Sequence, residues 1–462
     1  MNTSPLQGAG QKTGRRTAAL LLVATLFLAV PLKAESDEPV AGLEEENLVP
    51  MIERRLEAIE VEGARLPGLC GKDIQSIRVF SSRGGLLAPI PFQIDERDPE
   101  GNLALTEGDE PTKDSDTRFD SNDLLLFQAQ DLGSMVYSPE TPKGEAFAHS
   151  LKVTDPLDRS AGWVYVISSP DPPSPNSGVY VRYMRAEGKR ENVNTPYYGM
   201  NYPWGSFYTN VVYLYPPSGA RGVDMVDRLK ARGFFTLFFS LIKLKITEED
   251  MAARMVGYRT GPIRVVRRVR YWSNLGMGIR SPEFVADIMY YATFVTAPVT
   301  TNVPIRLSLF FSKAYAEIGT DYNRNAFGMI FRNSLNPDGT LIDGRMSPQE
   351  RHLDLREDEW RVITGEQGTF FRGRSPENAM TSQVKTTLVY LDDIGVDDPP
   401  ESEPGQVGHI FDRSDVLQLK PGIYRSDVRF MVAPDYRRGD EKMYLDWETH
   451  PLQVEAEDRS TE

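Results

Sequence analysis

From residue 51 onward, short runs rich in Val, Ile, Tyr and Phe alternate apolar with polar positions, and clusters of Gly, Pro, Asn and Asp separate them. A period of two predicts β-strands, because successive strand side chains point to opposite sides of a sheet. Strands are expected at 77–80, 124–128, 163–167 and 179–183. The run 86–94 contains Pro89 and Pro91, which cannot donate to a ladder, so it reads as an edge strand or extended lead-in. The longest strands fall in the middle of the chain. Over 261–272 the alternation puts Arg264, Arg268 and Arg270 on one face and Ile263, Val265, Val269 and Tyr271 on the other. Further strands follow at 288–296 and 303–315, the latter on the spacing of Ile305, Leu307, Leu309 and Phe311. In 233–246, Ile242, Leu244 and Ile246 against Lys243 and Lys245 give a strand with one wet face. The segments 416–432 and 443–454 read as a closing hairpin. Helix is a minor element, expected at 51–59, where Pro50 suits a helix start, and at 224–231. The fold class is all-β: a multi-domain antiparallel β-sandwich.

Breaks in the pattern divide the chain. Residues 1–34 hold Lys12, Arg15 and Arg16, an apolar run over 18–30 and a small residue at Ala34, with no acid before Glu35. This is the layout of a secretory signal peptide, and the run is too short for the ~20 residues of a membrane helix. A periplasmic location is expected, with no membrane span in the mature chain. Residues 35–50 are an acidic linker, 51–169 an N-terminal β-sandwich domain, and 176–391 a large central β domain beyond the breaker Pro170-Asp-Pro-Pro-Ser-Pro. A C-terminal β segment, 405–456, is expected to pack on the central domain.

Charge narrows the function classes. Four of the 52 basic residues and none of the 66 acidic ones lie in the first 34 positions, which takes the net charge from −14 to about −18 for the mature chain. Such a surface repels nucleic acid and anionic lipid. The single cysteine, Cys70, has no internal partner, and its neighbours Leu66, Leu69 and Ile74 suggest an ordinary buried thiol. His149, His352, His409 and His450 lie far apart without paired spacing, and neither a phosphate loop nor a dinucleotide fingerprint occurs. Haem, nucleotide and transition metal are therefore not indicated.

Three segments carry candidate chemistry. Eleven acids crowd residues 95–123. With Asp123 as position 12 of a calcium loop, Asp114, Asp116 and Asp120 take positions 3, 5 and 9. Thr112 at position 1, Thr117 at position 6 and Asp at position 12 depart from that pattern, and the alternative is a solvated acidic loop. The stretch 197–208 holds six aromatic residues, of which Tyr198, Tyr202 and Trp204 would form a platform for a sugar face; the alternative is capping of a sandwich. Arg264, Arg268 and Arg270 could clamp a carboxylate with their guanidinium forks, or be neutralised by acids on a paired strand.

The motif Pro91-Phe-Gln-Ile-Asp-Glu, the segment 120–127, and Met255-Val-Gly-Tyr-Arg-Thr-Gly-Pro-Ile-Arg-Val resemble a set of uncharacterised secreted bacterial β-rich proteins. That resemblance implies no activity. The Gly-Pro-Ile-Arg-Val strand is also similar to the supersandwich of mutarotase-like carbohydrate enzymes, which implies a supersandwich-like central region. The expected function is binding of a ligand, such as a glycan, or of an envelope component, without catalysis. The alternatives are a lyase or hydrolase acting on uronate-rich glycan, with Tyr322 or His409 moving protons, and an envelope structural or assembly factor.

Overall fold

The structure, a computed structural model, describes residues 51–112, 116–137, 147–186, 188, 190–206, 208–215, 222–237, 243–274, 283–303, 306–373 and 384–458. Among the described residues the strands form five sheets, and every strand pair is antiparallel.

The N-terminal sandwich packs a three-stranded sheet on a five-stranded one. The first has the order β1 (Ala58–Glu62), β5 (Leu124–Gln128), β4 (Phe92–Asp95). The second runs β26 (Gln453–Asp458), β6 (His149–Thr154), β7 (Ala161–Ser168), β2 (Ile77–Arg83), β3 (Leu86–Pro89). Ile59, Val61, Leu125 and Phe127 of one sheet pack with Val79, Leu151, Val164 and Val166 of the other. Strand β3, which ends on Pro89, and β4, which follows Pro91, both lie at sheet edges, where a missing N–H breaks no ladder.

The remaining chain builds a larger sandwich. A five-stranded sheet has the order β13 (Lys243–Ile246), β12 (Val226–Leu237), β18 (Phe311–Tyr322), β24 (Gln406–Asp415), β23 (Lys385–Asp393). It faces a nine-stranded sheet: β14 (Met251–Arg259), β15 (Val265–Ser273), β16 (Phe284–Tyr290), β17 (Phe294–Val303), β25 (Gly422–Val432), β22 (Gly368–Gly373), β21 (Trp360–Gly365), β19 (Ile330–Asn333), β20 (Asn336–Leu341). Ala231, Phe235 and Ala314 meet Val269, Tyr271 and Ala286 between them. A four-stranded sheet, β11 (Val211–Leu214), β10 (Tyr198–Pro203), β9 (Arg190–Asn194), β8 (Arg182–Ala186), adds Val193, Tyr198 and Val212 to the same interior. Strands β24 and β25 thus belong to the two large sheets, while β26 returns to the N-terminal one.

Several local expectations are corrected. Residues 51–57 are not helical, and 224–231 run into β12, whose ladder with β18 extends from Val226 opposite Tyr322 to Leu237 opposite Phe311 and overrides helix propensity. The strand expected from 303 begins only at Phe311. Leu307 to Leu309 form a 3₁₀ turn that buries Leu307 and leaves Leu309 63% exposed, whereas strict alternation would put both on one face. The run 288–296 is broken by a turn between β16 and β17. The last segment contains a helix, α1 (Glu441–Thr449), because Met443, Tyr444 and Trp447 follow a helical rather than a two-residue spacing. Among the described residues no helix is long and apolar enough to cross a membrane.

The two sandwiches are joined through Arg264. Its side chain is almost fully buried and donates through Nε to Asp95 (2.6 Å) and through Nη1 to Glu60 (2.9 Å) and the Tyr291 hydroxyl (2.7 Å). Asp95 is itself buried and also pairs with Arg259 at 3.0 Å. Burial works against the Arg264 charge, and Tyr291, Asp95 and Glu60 more than offset it, so the guanidinium is held well above its usual range. Removing one partner of a buried ion pair leaves an uncompensated charge, and Arg264→Met is expected to lose about 3–5 kcal/mol of stability by urea unfolding. An unchanged urea midpoint would show that the junction does not depend on this residue.

Candidate functional site

A cleft of about 930 Å³ lies between the N-terminal sandwich and the near end of the nine-stranded sheet. The segment 51–57 forms one wall, the β2–β3 turn and residues 130–134 the second, and the end of β25 with α1 the third. Tyr197, Phe294, Tyr444 and Trp447 contribute rings, and Arg54, Arg55, Arg83 and Arg429 contribute guanidinium groups.

Arg54 ties these walls together. It is buried, takes both oxygens of Glu57 at 2.9 Å, and donates to the carbonyls of Trp447 (2.9 Å) and His450 (2.6 Å). Those carbonyls lie at the C-terminal end of α1, where helical hydrogen bonds run out and a cation is favoured. Trp447 stands edge-on to Tyr444 at 5.1 Å, and Phe294 is stacked on Tyr291 at 4.2 Å under the Arg429 guanidinium at 4.3 Å. Asp131, at the end of the 3₁₀ turn Ala129–Asp131, accepts from the Tyr180 hydroxyl at 2.6 Å and meets Arg83 at 3.5 Å. Burial raises the carboxyl pKa of both Asp131 and Glu57 despite these cations. Arg83 and Arg55 are exposed, and Arg55 has no ion pair among the described residues.

The residues singled out in the sequence lie elsewhere. Tyr198 is buried, its hydroxyl donating to the Tyr291 carbonyl at 2.8 Å, and burial pushes that hydroxyl far up. Tyr202 packs edge-on to Tyr290 and under Arg267, whose guanidinium is 4.3 Å from the ring. Trp204 is 38% exposed with Arg185 at 4.8 Å. The three are not brought together as a platform, and of the aromatic stretch it is Tyr197 that reaches the cleft. Arg264 precedes β15 and is buried in the junction. Arg268 grips both oxygens of Asp287 on β16 at 2.7 Å, and Arg270 pairs with Glu110. Arg267, a further arginine of this strand, shares the buried face of β15 with Val265, Val269 and Tyr271 and pairs with Glu191. Its parity with those three residues was the available signal.

The acidic stretch supplies many of these counter-ions. Asp109 pairs with Arg185 and Arg254, Glu110 with Arg254 and Arg270, and Glu96 with Arg259. Among the calcium candidates, Asp116 accepts from the Arg118 amide at 2.7 Å. Asp123 is buried and accepts from the amides of Arg97 (2.9 Å) and Asp120 (2.8 Å). Asp120 is half-buried beside it, and Asp114 lies outside the described residues. Cys70 is exposed rather than buried, its thiol weakly bonded to the carbonyls of Gly63 and Leu66; desolvation and the nearby Asp120 and Asp123 raise its pKa, which lowers its thiolate fraction. Tyr322 and His409, the proton-transfer candidates, are both buried, and burial lowers the His409 pKa.

Two measurements test this geometry. A raised carboxyl pKa means that the folded state binds the proton more tightly than the unfolded state, so Asp131 withdraws stability as pH rises from about 4 through its folded value. The stability of Asp131→Asn relative to wild type should therefore increase between pH 4 and 7 in urea titrations; a constant difference would contradict the shift. Arg268→Ala should lose about 1 kcal/mol, as expected for a partly exposed two-point pair, while retention on polyuronide is unchanged. Lost retention at full stability would return the Arg face to consideration as a ligand site.

No protein-family model matches this chain, and a search of curated proteins finds no match. Among solved structures, an alpha-mannosidase from Enterococcus faecalis V583 is similar at a TM-score of 0.44 and 9% identity, over 87% of this chain and 44% of that one. The chain thus spans less than half the length of that protein.

Proposed function

We propose that the protein is an exported, periplasmic β-sandwich protein that binds a polar, glycan-like ligand in the 930 Å³ cleft without transforming it. The observation that carries this reading is the composition of the cleft walls. Its volume falls within the range of ordinary ligand sites. The half-buried Tyr197 and Trp447 supply ring surface for sugar faces, and the exposed Arg55 and Arg83 supply forked donors for carboxylates such as those of uronates. Catalysis is disfavoured because the buried acids are already committed. Both oxygens of Glu57 are held by Arg54, and Asp131 is divided between Tyr180 and Arg83.

A second reading, acid–base cleavage of uronate-rich glycan, draws support from the raised carboxyl pKa values of Asp131 and Glu57 in the same cleft. Incubating the mature protein with a polyuronide panel separates the two. Binding without reaction predicts retention of protein on the glycan with no unsaturated or reducing product. The Arg55→Gln/Arg83→Gln variant should then lose about tenfold or more in affinity with little change in stability, because both side chains are solvent-exposed. Product formation abolished by Asp131→Asn would replace the binding reading with the catalytic one, and absence of retention on every glycan would end both.

A further inference from the structure

A second cavity, about 190 Å³, lies inside the large sandwich, away from the cleft. Val226, Ile318 and Ile410 of the five-stranded sheet face Ile288, Val295 and Ile363 of the nine-stranded sheet across it. Phe370 and Phe430 also line it and are only half-buried, so solvent reaches part of its wall. Well-packed interiors leave few voids larger than a water molecule. An apolar void stays dry, and one of ~150 Å³ takes a benzene-sized guest.

The charged residues of the wall are two arginines. Arg361 on β21 and Arg372 on β22 stand directly opposite each other in the ladder, an arrangement of like charges that requires an anion. Asp412, buried on β24, provides one by accepting from both, and Arg361 has Asp358 as a second partner at 2.8 Å. Among the described residues Arg372 donates to Asp412 through Nη1, and the residue belongs to the cavity wall. A guanidinium takes a carboxylate through a pair of its N–H groups.

We propose that this cavity is a binding site for a small apolar acid, an alkanoate of about six to eight carbons whose chain lies between the sheets and whose carboxylate is taken by Arg372. The walls contribute through burial of hydrocarbon and Arg372 through charge, so the two contributions can be removed separately. The site shares no lining residue with the cleft, and the proposal stands or falls independently of the glycan reading.

Octanoate, 1-octanol and acetate are the probes, read by titration calorimetry and by melting temperature on the full mature protein. Octanoate should bind one to one and raise the melting temperature, octanol should bind about tenfold or more weakly, and acetate should do neither. Arg372→Gln should bring octanoate affinity down to that of octanol without changing octanol. Ala286→Leu, which fills the cavity, should abolish binding of both, and Ile363→Phe serves the same purpose should the first variant fail to fold. The proposal is overturned by absence of octanoate binding, by octanoate affinity that is unchanged in Arg372→Gln, or by binding that survives a folded cavity-filling variant.

Discussion

A cation that cannot reach water fixes the assembly of this protein. Arg264 carries its charge at almost complete burial, and such a charge is tolerated only where acids and hydrogen bonds surround it. The acids come from the N-terminal sandwich: Asp95 from β4 and Glu60 from β1. The larger sandwich therefore cannot bury Arg264 without docking against the smaller one. Gln93 reinforces the contact, its side-chain carbonyl accepting from the amides of Ile263 and Arg264 at 3.1 and 3.0 Å. A Cβ at Gly261 would come within 2.0 Å of that same Gln93 side chain, so the turn before β15 requires glycine. The Pro91-Phe-Gln-Ile-Asp-Glu and Gly-Pro-Ile-Arg-Val motifs, far apart in the chain, are the two halves of one buried contact.

The cleft follows from that docking. With the sandwiches joined at Arg264 and β26 paired to β6, the chain between β25 and β26 must cross from one to the other. The helix α1 lies on that crossing, and Arg54 secures its C-terminal carbonyls to the segment that begins the N-terminal sandwich. The space enclosed beneath is polar, ringed and partly solvated, whereas the void between the large sheets is apolar and served by one pair of guanidinium groups. The two cavities thus differ in the chemistry they accept because one forms where domains meet and the other where sheets meet.

Charge is distributed by the same logic. The acids that crowd residues 95–123 and the arginines of β14 and β15 look like separate candidate sites in the linear chain, yet Glu96, Asp109 and Glu110 are the partners of Arg259, Arg254 and Arg270. Asp287 plays that part for Arg268 from the adjacent strand. A strand face of like charge is stable when a neighbour balances it. Much of what resembles ligand chemistry in the sequence is here the electrostatic complement of another segment.

The sequence by itself determined the all-β class, the antiparallel strand character and the edge positions of β3 and β4, because a two-residue alternation and a proline without an N–H act locally. It also held the helical spacing of Met443, Tyr444 and Trp447 and the inward parity of Arg267, signals legible only once the burial of their neighbours is known. Tertiary structure alone decided that Tyr198 and Arg264 are interior, that Arg54, Tyr197 and Trp447 share a cleft, and that Arg361 and Arg372 face a void. These are relations between segments that are not neighbours in the chain. Which charge neutralises which, and which rings remain open to solvent, depends on the packing of whole sheets rather than on any run of neighbouring residues.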